Sequence, residues 1–119
     1  MFNDVTSVAL HSALSGLSAR QRASADNIAN IQTPGYRAQR VSFEDSLRAA
    51  VQNGSIDSGR VRGVAPTRQT SLEPTRGDGN NVNLDTETLS SVDTNLRYEL
   101  TVRAVDHGFS MLRTSMRSQ

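Results

Sequence analysis

One stretch constrains this chain more than any other: a long apolar seam that runs into a proline–glycine stop. Leu10, Leu14, Leu17, Gln21, Ser24, Ile28 and Ile31 recur in alternating steps of four and three. That spacing is the stripe of a helix that packs against other helices. The run closes at Thr33-Pro34-Gly35-Tyr36. Proline removes a backbone donor and pushes Thr33 out of the helical region, while glycine supplies the positive φ that a type II turn needs at its third residue. The pattern predicts a helix from about Val5 to Gln32, capped by Asn3 or Asp4. Beside the seam lies a stripe of small residues, Ala9, Ala13, Gly16, Ala19 and Ala23. Either it is a second contact face, suited to a multi-helix assembly, or it reflects alanine's helix propensity alone.

A chain built around such a helix has little with which to close a core of its own. Of 119 residues 35% are hydrophobic, with no Trp, three Phe and two Tyr. Mean hydropathy is −0.49. A compact monomer is marginal on these terms, because small cores barely offset chain entropy. Thirteen Arg and twelve acids are spread along the whole length for a net charge of +1. That balance lacks the clustered basic face of a nucleic-acid binder. The absence of Cys excludes disulfides, thiol catalysis and Cys-based zinc sites. Met1-Phe2-Asn3-Asp4 places an acid where a secretory signal carries basic residues, so no cleaved signal peptide is expected. No window approaches the roughly 20 apolar residues of a membrane span, and direct membrane insertion is not expected.

Three segments follow. Residues 1–38 hold the first helix and its turn. Residues 39–83 hold a short amphipathic helix, about Ser42 to Gln52, on the apolar positions Val41, Phe43, Leu47, Ala50 and Val51. It stops at Asn53-Gly54, and an irregular stretch from Gly54 to Asn83 is expected to be largely disordered in the free protein. Val61 and Val64, or Leu72, suggest a short strand there. Residues 84–119 form the last helix, capped by Asn83 or Asp85, with Glu87 favourable for its dipole. Its seam is Tyr98, Val102, Val105, Phe109, Leu112 and Met116, and a second face holds Leu89, Leu96, Leu100, Ala104 and Met111. The fold class is therefore all-α: two long terminal helices forming a coiled-coil-like layer, a short middle helix and an irregular middle, together one structural unit.

The chain shows no convergent catalytic constellation. His11 has no nucleophile near it in sequence, and His107 follows Asp106 without a Ser or Cys partner. Gly77-Asp78-Gly79-Asn80-Asn81 lacks the acid spacing of a calcium loop and the Gly-Lys-Ser/Thr of a phosphate loop. Its expected task is to turn the chain into the last helix. Asn27 and Asn30 read as amides that satisfy the unpaired groups at the end of the first helix. No enzyme activity, catalytic residue, metal or cofactor is expected.

The stretch Ala25-Asp26-Asn27-Ile28-Ala29-Asn30-Ile31-Gln32-Thr33-Pro34-Gly35-Tyr36-Arg37-Ala38 resembles the N-terminal signature of the flagellar rod and hook proteins, the axial proteins of the bacterial basal body. Gly77 to Glu87, followed by Asn95-Leu96-Arg97-Tyr98, looks like the proximal-rod members, as does the lack of an inserted central domain. The departures are small: Asp26 where many members carry Asn, and Asn83 where an acid is typical. The resemblance implies a non-catalytic subunit, exported from the cytoplasm by the flagellar type III apparatus and polymerised in the periplasm into the torque-transmitting shaft. Its implied partners are other copies of itself, other proximal rod proteins, and the MS-ring and export-gate side of the basal body. The family motif falls on Asn27, Asn30, Thr33, Pro34, Gly35 and Tyr36. The expected assembly interface is Leu10, Leu14, Leu17, Ile28, Ile31, Tyr98, Val102, Val105, Phe109 and Leu112. Phe43 and Leu47 either resemble the family's export segment or form the apolar face of the short helix. A helical adaptor or secretion regulator binding one soluble partner would share the helices, but would give no reason for the Pro-Gly turn.

Overall fold

The computed structural model describes residues 4–53 and 64–117. The element order is α1 (Asp4–Ala29), β1 (Gln39–Ser42), α2 (Glu44–Gln52), β2 (Thr67–Thr70) and α3 (Leu84–Arg117). Two helices of 26 and 34 residues dominate, roughly 39 and 51 Å long at about 1.5 Å per residue. They run antiparallel. Asn80, just ahead of α3, bonds the carbonyls that follow α1, and Gln21 bonds Ser91. Further along, Ala9 and Ala13 share a groove with Leu100 and Thr101. The result is an elongated body of 66 × 26 × 15 Å.

Within the seam, Leu17 and Gln21 lie beside Thr94 and Tyr98 of α3, and the small-residue stripe is a contact face. Gly16 and Ala23 are buried, and Ala13 and Ala19 pack against the buried cluster of Leu17, Ala23, Val41 and Phe43. What covers this stripe is the chain's own middle. Phe43 lies so close over Gly16 that an added Cβ would stand 2.3 Å from its Cδ1. The core is small: among the described residues, Ala38 and Val82 are the other buried large or small apolar side chains beyond that cluster.

Three boundaries and elements differ from the sequence expectation. Regular α1 stops at Ala29, short of Gln32, because residues 30–33 tighten into i→i+3 bonds: Asn30 N–H to Asn27, Ile31 to Ile28, Thr33 to Asn30. The middle is irregular as expected, yet it contributes a two-stranded ribbon. β1 and β2 pair antiparallel, with Gln39 opposite Thr70 and Ser42 opposite Thr67. The strand is not at Leu72, which is 91% exposed, nor at Val64, which precedes it; Val61 lies outside the described residues. Of the stretch expected to be largely disordered, residues 54–63 lie outside the described residues, while 64–83 is held in place by β2, the Arg76–Gly79 turn and a bond from Val64 N–H to the Ser12 hydroxyl.

Candidate functional site

The two sequence motifs meet at one end of the molecule and hold each other. Thr33 to Tyr36 forms the anticipated type II turn, with Tyr36 N–H donating to the Thr33 carbonyl and Gly35 at φ +75°. Arg76 to Gly79 forms a second turn, with Gly79 at φ +84°. The turns touch. Gly35 N–H donates to the Asp78 carbonyl at 2.8 Å, and a Cβ on Gly79 would stand 3.2 Å from the Gly35 Cα.

Three buried asparagines join everything around this contact. The Asn80 amide, fully enclosed, donates to the carbonyls of Asn30, Ile31 and Thr33 at 2.9, 3.2 and 2.9 Å. It thereby caps the negative end of α1 from a segment some fifty residues away. Its Oδ1 accepts from Val82 N–H at 2.7 Å. Asn81 accepts from Ala38 N–H at 2.6 Å and donates to the carbonyls of Ser71 and Glu73. Asn27 accepts from Gln39 N–H and the Tyr36 hydroxyl and donates back to the Gln39 carbonyl. Arg76 reaches the carbonyls of Ile31 and Val82. Asn30 plays the local part expected of it, donating to Asp26 and accepting from the Thr33 hydroxyl. Asn83, the departure from an acid, caps α3 by accepting from Thr86 N–H at 3.2 Å.

Two ion pairs, invisible in the sequence pattern, extend the latch along the ribbon. Arg20 meets Glu44 through both guanidinium ends at 2.6 Å, donates to the Val41 carbonyl, and lies 5.0 Å over the Phe43 ring. The Arg20 hydrogen bond, outweighing the cost of burial, holds the Glu44 carboxyl well below its usual range, at about 2. Glu87, fully buried in the first turn of α3, is bonded by Arg40 at 2.5 Å. An unpaired carboxylate there would be costly, so Arg40 fixes β1 to the start of α3.

The expected interface residues divide. Leu17 is 3% exposed and belongs to the subunit's own core. Leu10, Leu14, Ile31, Val102 and Val105 are half-buried along the helix pair. Ile28, Tyr98, Phe109 and Leu112 are 37, 40, 47 and 36% exposed. Phe43 is buried and Leu47 packs against the same cluster. Beside them an open groove of about 660 Å³ lies between α1, α2 and α3, lined by Ala9, Ala13, Leu47, Val51 and Leu100. Among the described residues no helix is long and apolar enough to cross a membrane, and no group of His, Cys, Asp or Glu has a metal-binding arrangement.

Comparison with known proteins places this geometry. Residues 9–37, from the seam to the turn, match the family described as flagella basal body rod protein. Over 116 residues the chain is 32% identical to the flagellar basal body rod protein FlgB of Borrelia hermsii, covering 83% of this chain and 86% of the relative. It is 29% identical to that of Bacillus subtilis, with 88% of each chain covered. To that of Escherichia coli it is 31% identical, over 72% of this chain and 74% of the relative.

Proposed function

The chain belongs to the FlgB family of flagellar basal body rod proteins, and from that premise we propose how it works as a rod subunit. It is a structural component of the flagellar basal body. It leaves the cytoplasm through the flagellar type III apparatus without a cleaved signal and polymerises in the periplasm. Its place is the proximal part of the torque-transmitting shaft, among copies of itself and other proximal rod proteins, toward the MS-ring and export-gate side.

The observation that carries this reading is the pairing of a rigid latch with unfinished packing. The latch fixes two long antiparallel helices relative to each other, as a torque-bearing element requires. The helices nonetheless keep large apolar residues open: Leu89 is 71% and Leu96 56% exposed. The surface we assign to neighbouring subunits includes Leu10, Leu14 and Ile28 on α1, Ile31 in the turn just after it, and Tyr98, Val102, Val105, Phe109 and Leu112 on α3. For export we assign Phe43 and Leu47 as the recognised segment. Phe43 is 4% exposed in the folded subunit, so export machinery that reads it must meet the chain before it folds.

The test is deletion and complementation. Loss of the chain should abolish swarming and leave basal bodies without a shaft, and the wild-type chain should restore both. Normal swarming in the deletion strain refutes the proposal.

A further inference from the structure

The two long helices are unequal, and the difference leaves an overhang. Counting outward from the Gln21–Ser91 bond brings Asp4, the first residue of α1, level with Gly108 of α3. Gly108 is also the last buried position of α3, and every residue from Phe109 to Arg117 is exposed. The overhang is about 13 Å long at a rise of about 1.5 Å per residue. It carries two of the chain's three methionines, Met111 and Met116, which are 52 and 69% exposed. The chain has no Cys, so thioethers are its only sulfur. With thiols absent, an exposed thioether is the side-chain group most open to oxidation by a peroxide.

We propose that Met111 and Met116 form a reversible oxidation site for a hydroperoxide, and that oxidation there bars a subunit from assembly until it is repaired. The sulfur lone pair attacks one peroxide oxygen, and the S–O bond forms as the O–O bond breaks. Sulfur loses two electrons, and the second oxygen takes the proton of the first and leaves as water. The product replaces a flexible apolar side chain by a polar, chiral sulfoxide with a strong acceptor oxygen. On the overhang of a free subunit that oxygen is solvated. Against an apolar neighbour it is buried without a donor. Methionine sulfoxide reductases reverse the change. The consequence for assembly rests on the rod reading, in which this end of α3 meets neighbouring subunits; the oxidation itself does not.

Cleavage after arginine places each methionine in a peptide of its own, Ala104–Arg113 and Thr114–Arg117. Mass spectrometry of the full-length chain treated with hydrogen peroxide should show one added oxygen on each peptide. Each rate should lie within about threefold of that in the urea-unfolded chain, because exposure sets reactivity. Slower oxidation of either peptide overturns the site, and so does an added oxygen that the reductases fail to remove. Met111→Gln/Met116→Gln puts a polar, uncharged group in place of each thioether, and Met111→Leu/Met116→Leu cannot be oxidised. Both variants should match wild type in helical ellipticity. In a deletion strain the Leu pair should restore swarming, while the Gln pair should lower the number of complete shafts by about tenfold. Full swarming with the Gln pair overturns the proposal, as does lost swarming with the Leu pair. The two readings fail separately. If oxidation is slow while deletion abolishes shafts, this site is wrong and the rod reading stands. If the deletion strain builds complete shafts, the rod reading itself falls.

Discussion

Replacing Asn80 by Asp tests the latch with a single atom. The side chain is fully enclosed, and its amide nitrogen faces three carbonyl oxygens at the end of α1. Each of those carbonyls has one other partner: Thr33 N–H for Asn30, Arg76 for Ile31, Tyr36 N–H for Thr33. Asn80→Ala therefore orphans none of them, but it strips the Val82 N–H of its acceptor, and about 2–3 kcal/mol should be lost. Asn80→Asp keeps that acceptor and replaces the donor with an oxygen. A carboxylate buried against carbonyls and the negative pole of a helix should cost more, about 4 kcal/mol at pH 7. The sign of its pH dependence follows. Burial raises the introduced carboxyl's pKa in the folded state, so the variant is least penalised when protonated and loses stability as pH rises. Urea unfolding followed by helical ellipticity at about pH 7 and about pH 4.5 measures this directly. The gap to wild type should narrow at the lower pH. A milder effect for Asp than for Ala at pH 7, or a gap that ignores pH, would refute the capping argument.

Four further outcomes are expected. Gly16→Ala should destabilise by about 1–2 kcal/mol despite alanine's better helix propensity, because the Phe43 ring must move; Phe43→Leu in the same chain should recover part of the loss in a double-mutant cycle. The Arg20–Glu44 pair stabilises the fold above about pH 4.5 and is lost as pH falls toward about 2, since the folded carboxyl is depressed. With the Glu44 side chain 38% exposed, the contribution is discounted to about 1 kcal/mol, and Glu44→Gln should flatten the acid limb of a stability–pH curve by that amount. Leu17→Asp should unfold the subunit at a cost of several kcal/mol, whereas Ile28→Asp should leave its helicity intact and abolish swarming. Gly35→Val should strain the type II turn at φ +75° and weaken thermal stability measurably in circular dichroism.

What the sequence made legible was set by local rules. The seam, the Pro-Gly stop, the Asn83 cap and the open face of α3 all follow from helical periodicity and turn chemistry, which act over a few residues. The asparagines at the end of α1 were readable as carbonyl and amide partners because no other amide chemistry fits there. Their partners were not readable. Asn80 reaches Asn30 across fifty positions and Arg40 reaches Glu87 across forty-seven, and no periodicity encodes a contact of that span. The ribbon escaped for a different reason. Gln39-Arg40-Val41-Ser42 and Thr67-Arg68-Gln69-Thr70 are four residues each, nearly all polar, and only Val41 turns inward to mark an alternation. The small-residue stripe was legible only as one of two readings, a contact face or plain helix propensity, and its occupant was not legible at all, since Phe43 seats there through the latch that brings β1 back along α1.

The central claim, that this hairpin is a building block of the rod, is tested most directly by an electron cryo-microscopy map of basal bodies carrying the chain. The account predicts, at the base of the shaft, repeated antiparallel helix pairs of about 39 and 51 Å joined at one end by the Asn80 latch. A complete shaft with no density for this chain would contradict it.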